Sequence, residues 1–263
     1  MKTRGGLRAF LIAFGVLTGA WLVVPTLIVI PISFSGEDSF AFPPRSWSLQ
    51  HYVTFFTESS WLTSLLVSLQ LALIVTAVAT VLGTMAAFAL AGRKFAGKGA
   101  VDGLLMAPLI VPGIVVAVAM YATFLGWGLI GTPTGFIAAH TVLALPFVTV
   151  NVTAALAGFD RVLERASASL GASPWTTFRS VTFPLIRPGV LAGALFAFVT
   201  SFDEVVVSLF IQSPTLQTLP VRMFTSVTNE VDPTIAAAST VVLVVSTALL
   251  GLATVTRRNR RAA

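Results

Sequence analysis

Long apolar stretches alternate with short polar stretches along the whole chain. An α-helix needs about 20 apolar residues to cross a hydrocarbon core about 30 Å thick, and six of the stretches are long enough. The pattern therefore predicts an all-α membrane protein, folded as a single transmembrane domain over residues 1–263. We place the six helices at about 7–32, 61–91, 101–125, 135–156, 189–211 and 234–255.

Prolines lie inside several of these stretches, among them Pro108 and Pro112 in the third and Pro146 in the fourth. Membrane helices tolerate proline as a kink, so we still expect one helix for each stretch. The basic N-terminus followed by an apolar stretch resembles a signal peptide. The stretch is too long for that, however, and lacks an A-x-A-like cleavage site, so we expect a retained first helix.

Composition indicates that lipid is the solvent for much of the chain. Hydrophobic residues make up 56% of the sequence and charged residues only 10%, whereas an average soluble protein has about 25% charged residues. The mean hydropathy is +0.93. A soluble chain with so few charges could not cover its own surface with polar groups.

The basic residues are distributed unevenly between the two predicted faces of the membrane. All Lys and Arg residues except Arg45 and Arg222 lie in the termini, or between the second and third and the fourth and fifth helices. The positive-inside rule then predicts that both termini are cytoplasmic. This topology explains the net charge of +6, so we expect no nucleic-acid partner.

Residue types needed for several kinds of chemistry are missing or rare. The chain has no cysteine for disulfides or thiolate metal sites, and its two histidines are too few for a His-based metal site. We expect His140 to be a packing or interface histidine. Without a GxxxxGK[ST] motif the chain should bind no nucleotide, and without a Ser-His-Asp or HExxH arrangement it should not be an enzyme. A secondary transporter is an alternative, although we find no clear internal repeat.

The longest predicted cytoplasmic loop, about 157–188, carries the signals of two short helices. Asp160 can cap the first helix, and Gly171 can end it in the left-handed conformation. Ser173 and Pro174 suit the N-cap and first position of a second helix.

Pro184 and Pro188 follow this second helix and bracket the predicted return into the membrane. The loop is then either an amphipathic connector that rests on lipid headgroups or a docking element for a cytoplasmic partner.

This loop resembles the EAA loop, through which the permease subunits of type I ABC importers couple to their ATPases. The family pattern is Glu-Ala-Ala-x-x-x-Gly, followed after a spacer by Ile-x-Leu-Pro. Ala166, Gly171 and Pro184 match, whereas Arg165 stands at the glutamate position with Glu164 just before it. It is open whether Arg165 or Glu164 meets the ATPase. The resemblance implies that the ATPase-coupling residues are Glu164, Arg165, Ala166, Ser167, Gly171, Ala172, Ser173, Pro174 and Pro184.

Other segments are similar to the spermidine/putrescine branch of these importers. They are WSLQHY at 47–52, DGLLMAPLIVPGIV at 102–115, TSFDEVVVSLF at 200–210 and TLPVRMF at 218–224. The resemblance implies a type I ABC importer permease fold with cytoplasmic coupling helices, in a bacterial inner membrane. Its function would be to form half of the translocation path for a polyamine or similar small cation by alternating access. Related permeases carry opines, phosphonates or metal chelates, so these substrates are alternatives.

The same resemblance implies the partners of the chain. A second permease subunit, two ATPase subunits that bind the ATP, and an extracytoplasmic solute-binding protein would complete the importer. The binding protein would meet the outer loops near 37–60 and 213–233. The chain itself would bind no cofactor.

Asp203 and Glu204 are adjacent carboxylates near the middle of the predicted fifth helix. A carboxylate inside the membrane costs about 2.5 kcal/mol or more, so both should face protein or water. On a continuous helix, Glu204 shares a row with Thr200 and Ser208, whereas Asp203 shares a row with apolar residues. We therefore predict that Glu204, Thr200 and Ser208 line the path. Asp203 is a second path candidate for which a structural contact is favoured. Buried interhelical contacts for both acids, or protonation of one, are the alternative.

Overall fold

The computed structural model of the chain describes residues 3–92, 95–229 and 232–247. Over these residues the chain is α-helical and contains only isolated β-bridges. The helices are α1 Thr3–Ser33, α2 Gln50–Thr57, α3 Ser59–Gly92, α4 Lys98–Ile110, α5 Gly113–Trp127, α6 Pro133–Ala157, α7 Val162–Ser169, α8 Pro174–Thr177, α9 Phe183–Phe202, α10 Val206–Ile211, α11 Leu219–Asn229 and α12 Thr234–Thr247.

The predicted all-helical membrane class is confirmed. In the described parts of the chain, four helical segments are long and apolar enough to cross a membrane: α1, α3, α6 and the run from Pro174 to Phe202. A fifth span results if α4 and α5 are counted together. The predicted sixth helix begins at Thr234 as expected. Residues 248–255 of that helix, the C-terminal arginines, Lys2, Arg93 and Lys94 lie outside the described residues.

The third predicted span is not one kinked helix, so that prediction is wrong. Helix α4 ends at Ile110, and Val111 and Pro112 both have extended backbones, with ψ of 133° and 132°. Helix α5 then leaves at an angle of 109° to α4. A proline disfavours the helical conformation of the residue before it, so Val111 is extended and the helix ends ahead of Pro112.

The fifth predicted span begins and ends earlier than its apolar pattern indicates. Helices α8 and α9 are joined by a π-helical turn, Phe178–Thr182, into one run that contains both Pro184 and Pro188. Both prolines thus lie inside a continuous helical run, and the point at which this run enters the membrane is still a prediction. In the π turn Phe183 N–H donates to the Phe178 carbonyl, and the wider turn accommodates Pro184, which has no N–H to donate.

The chain divides into two compact units, Met1–Leu62 with Met223–Ala263, and Thr63–Arg222. In the second unit, α6 lies at the centre of a core in which its Val148 is fully buried between α3 and α9. A Cβ atom added at Gly83 of α3 would lie 2.7 Å from the Val148 Cβ, and one at Gly193 of α9 would lie 2.9 Å from the Val148 Cα. Glycine thus lets the three helices approach closely, as small residues do in membrane proteins.

The close approach of α9 to α6 yields a test with a matched control. We expect Gly193→Ala to lower the thermal unfolding midpoint in detergent, because the added methyl meets the α6 backbone and overpacking costs about 1–3 kcal/mol. Gly103→Ala, in α4, adds its methyl to open space and should leave the midpoint unchanged or raise it, since alanine favours helix. Equal effects of the two substitutions would contradict this packing.

Candidate functional site

The acidic pair lies at a break in the helix, not in the middle of one. Helix α9 ends at Phe202, and the Asp203 N–H closes its last turn by donating to the Val199 carbonyl at 3.0 Å. The chain is helical again only from Val206. The prediction of a polar row from Thr200 to Ser208 on one continuous helix is therefore wrong.

Glu204 caps the short helix α10. Its Oε1 accepts from the Val207 N–H and its Oε2 accepts from the Ser208 N–H, both at 2.8 Å. These N–H groups belong to the first turn of α10. Backbone N–H groups in the first turn have no acceptor within the helix, and the helix dipole favours a negative charge there. The side chain of Glu204 is only 11% exposed. Its carboxylate thus caps α10. The prediction of Glu204 as the principal path residue assumed one continuous helix, and that assumption is wrong.

His140, on α6, joins the two sides of the break. Its Nδ1 lies 3.0 Å from the Ser201 Oγ at the end of α9, and its Nε2 lies 2.9 Å from the Ser208 Oγ in α10. The same Nε2 is 3.8 Å from Glu204 Oε2. His140 and both serines are buried. The prediction of a packing histidine is confirmed, and the buried Ser208 hydroxyl contacts this histidine.

Asp203 has the opposite environment from Glu204. It is exposed, and among the described residues its carboxylate has no hydrogen-bond partner. The prediction that it packs on an apolar row fails because α9 stops one residue before it. Thr200, in the last turn of α9, is half-buried. The break therefore presents one exposed carboxylate and one that is bound to backbone.

Sequence reasoning missed Ser201 and did not connect His140 to the acids. Ser201 and His140 are 61 residues apart in the chain, so no local pattern joins them. The available signal was the density of polar residues in TSFDE within an apolar region. Such a cluster indicates a polar network, but it does not show which helix supplies the partner.

The loop segment, residues 158–182, contains the predicted pair of short helices. The Asp160 carboxylate accepts from the Val162 N–H at 2.8 Å and so caps α7. Gly171 has φ of +80°, the left-handed conformation expected after a helix. Ser173 Oγ accepts from the Thr176 N–H at 3.2 Å, and Pro174 is the first residue of α8. The predicted helix signals are confirmed here.

Side-chain hydrogen bonds fix this loop segment to the long helices. Thr182 Oγ1 donates to Glu164 Oε1 at 2.8 Å, and the hydroxyls of Ser167 and Thr177 lie 2.9 Å apart. Arg161 Nη2 donates to the Ala91 carbonyl near the end of α3 at 2.9 Å. Glu164 and Ser167 therefore hold α7 against the start of the α8–α9 run.

The opposite side of α7 is exposed and partly apolar. We call this surface the loop face; it consists of Val162, Arg165, Ala166, Leu170 and Trp175, all exposed, with Leu170 at 90%. These exposed apolar side chains fit either of the alternatives for this loop, a docking element or a connector that rests on lipid headgroups.

Two further predicted coupling residues, Ala172 and Pro184, are not part of the loop face. Ala172 is half-buried beside Gly171, and Pro184 is exposed in the first turn of α9.

Residues 79–261 match the family of binding-protein-dependent transport system inner membrane components. The chain belongs to this family. It is thus a permease of the ABC importer class, located in the inner membrane. Both the helix break and the loop segment of the permease lie within the matched residues.

Relatives of the permease extend the match over nearly its whole length. It is 34% identical to the spermidine/putrescine transport system permease protein PotC of Haemophilus influenzae, over 94% of this chain and 96% of that protein. It is 29% identical to the putrescine transport system permease protein PotI of Escherichia coli K12, over 85% of this chain and 82% of that protein. The permease also shares its fold with a chain of a bacterial alginate ABC transporter crystallised in complex with its alginate pentasaccharide-bound periplasmic protein. The TM-score is 0.72 at 16% identity, over 94% of this chain and 92% of that chain.

Proposed function

We propose that the permease forms half of the translocation path for a polyamine, such as spermidine or putrescine, and works by alternating access. The observation that carries this proposal is the exposed carboxylate of Asp203 at the helix break, in a chain whose relatives are polyamine permeases. In our proposal, Asp203 and Thr200 face the substrate, while Glu204, Ser208 and His140 hold the break in shape.

The electrostatics of the break favour a cationic substrate. The C-terminal end of a helix carries a partial negative charge of about half an electron charge, and Asp203 lies directly at the end of α9. The charge of Glu204 is already compensated by the N-terminus of α10. An exposed carboxylate in lipid would cost about 2.5 kcal/mol or more, so Asp203 should face a water-filled path. An ammonium group of a polyamine complements this local excess of negative charge.

The helical run from Pro174 to Phe202 supports a coupling mechanism. It begins beside the loop face and ends at the break, so one rigid element joins the proposed ATPase contact to the proposed substrate contact. In our proposal, closure of the ATPase dimer displaces the loop face and moves the end of α9. Alternating access requires two packings of the helices, one inward-facing and one outward-facing. The ATPase on one side of the membrane and the loaded binding protein on the other then shift the equilibrium between these packings.

The proposed assembly contains a second permease subunit, two ATPase subunits and an extracytoplasmic binding protein. ATP is bound and hydrolysed by the ATPase subunits, so the permease itself carries neither a cofactor nor an enzymatic activity. We propose a single transmembrane domain of six spans with both termini in the cytoplasm, as the distribution of basic residues favours. Within the loop segment we assign the ATPase contact to exposed Arg165, because Glu164 is engaged by Thr182.

Uptake by the assembled transporter in proteoliposomes tests this function. We expect radiolabelled spermidine to accumulate only with external binding protein and internal ATP. Unlabelled putrescine should compete, whereas 1,4-butanediol, which has the length of putrescine without its charges, should not. ATP-independent uptake by the permease alone would contradict the importer assignment, and equal competition by the diol would contradict the charge-based recognition.

A further inference from the structure

We propose that helix α2 carries a lipid-contact surface that rests on the headgroup–acyl boundary of the membrane. The surface consists of Leu49, Val53 and Phe56, with Trp47 just before the helix, and we call it the α2 stripe. These side chains are 60%, 58%, 51% and 68% exposed. The residues at 49, 53 and 56 follow helical spacing, so they project from one side of α2.

The other sides of α2 have distinct environments. His51 and Phe55 point away from the α2 stripe and are buried. Gln50 and Thr57 form a polar edge about a quarter turn from the α2 stripe, and both are exposed. One buried side, one exposed apolar side and one exposed polar side are what a helix needs to lie flat in a membrane interface, with lipid below and water above.

Contacts of α2 fix its height relative to the membrane. The Tyr52 hydroxyl lies 2.7 Å from the Oγ of Ser33, the last residue of α1. The Phe55 ring lies 6.1 Å from the ring of Trp61, in the first turn of α3. Only Glu58 separates α2 from α3. Helix α2 is therefore held at the level where α1 ends and α3 begins.

That level is the headgroup region. Helix α1 has 31 residues and α3 has 34, which at 1.5 Å per residue is about 47 and 51 Å. A bilayer is about 40–45 Å thick with its headgroups, so the ends of helices of this length emerge near the headgroups. Trp47, beside the α2 stripe, is of the residue type enriched at this depth. We commit to lipid as its occupant, because a helix with one buried, one apolar and one polar side at the headgroup level has the pattern of a helix that lies in the membrane interface.

The chain has no cysteine, so single-cysteine variants report one position each. We would label Leu49→Cys, Val53→Cys and Phe56→Cys on the stripe, and Gln50→Cys and Thr57→Cys on the polar edge, with a fluorophore. The assembled transporter is reconstituted into phosphatidylethanolamine–phosphatidylglycerol vesicles. Quenching by brominated lipids and by aqueous iodide is then measured with and without binding protein.

We expect lipid quenching at the stripe positions, iodide quenching at the polar positions, and no change when loaded binding protein is added. Iodide quenching at all five positions would overturn the proposal. So would protection of the stripe from both quenchers, or protection that appears only with binding protein, since each points to a protein occupant or to none. The measurement involves no polyamine transport, so its outcome is independent of the proposed substrate.

Discussion

Asp203→Asn should lower spermidine uptake by about tenfold or more, which corresponds to ~1.4 kcal/mol, while thermal stability and ATPase retention stay at wild-type values. The substitution keeps the size of the side chain and removes its negative charge. Asp203 is exposed and has no hydrogen-bond partner among the described residues, so the fold does not depend on this charge. Uptake should be measured at saturating binding protein, so that the loss reports the permease and not the docking step. Asp203→Glu should restore most of the uptake.

The neighbouring acid provides the contrasting variant. Glu204→Gln should lower the thermal unfolding midpoint, because it weakens charge-assisted hydrogen bonds to Val207 and Ser208 that are worth about 1.5–3 kcal/mol each. Its effect on uptake should follow the fraction of folded protein. If Glu204→Gln folds normally and abolishes uptake while Asp203→Asn transports normally, our assignment of the two acids is reversed.

Ala166→Trp should abolish co-purification of the ATPase subunit with the permease. Ala166 lies on the exposed loop face, four residues from the apolar side chains of Val162 and Leu170 and next to Arg165 in the chain. An indole added there leaves α7 intact but prevents close contact with a partner. Affinity purification from membranes in mild detergent, followed by quantification of the ATPase subunit, measures the loss.

Ala168→Trp is the matched control for this prediction. Ala168 is also exposed, but it projects about 200° away from Ala166 around α7, so the ATPase should be retained. Arg165→Ala should weaken retention, whereas Glu164→Gln should act on thermal stability through its bond to Thr182. If the Ala166→Trp and Ala168→Trp variants retained equal amounts of the ATPase subunit, the assignment of the loop face as the ATPase contact would be contradicted.

Much of the fold follows from local patterns. Spans such as α3 and α6 were predictable to within about two residues, because a helix in lipid must satisfy its own backbone over a fixed length. The third and fifth spans were not, since apolar composition continues across Val111–Pro112 and lies on both sides of the acidic Asp203–Glu204 pair. Hydropathy measures the preference for lipid, and it does not register where the backbone leaves the helix.

The loop segment was more predictable than the helix break. The roles of Asp160, Gly171 and Ser173 are local, because caps and left-handed turns depend on residues within one or two turns. The polar contacts at the break include His140, which is distant in sequence from Ser201 and Ser208. The prediction that Glu204 lines the path and that Asp203 makes a structural contact assumes an unbroken helix. Because the helix breaks at Asp203, the environments of the two acids favour the reverse assignment.

The sequence by itself determined that the chain is a helical membrane protein of the importer permease type, with a structured loop and an unusual acidic pair. The helical membrane character follows from composition and from the length of apolar stretches, and the structured loop from short-range spacing. The importer permease type is what the resemblance of the loop and of other segments to that family implies. The count of six spans, which rests on the apolar stretches, and the cytoplasmic termini, which rest on the positions of the basic residues, are still predictions. Only the tertiary structure decided which acid is bound and which is exposed. The free energy of a buried polar group depends on the partners that the fold brings to it. Glu204 binds the Val207 and Ser208 N–H groups at the start of α10, a helix that begins anew after α9 ends at Phe202, and His140 reaches Ser201 and Ser208 from α6.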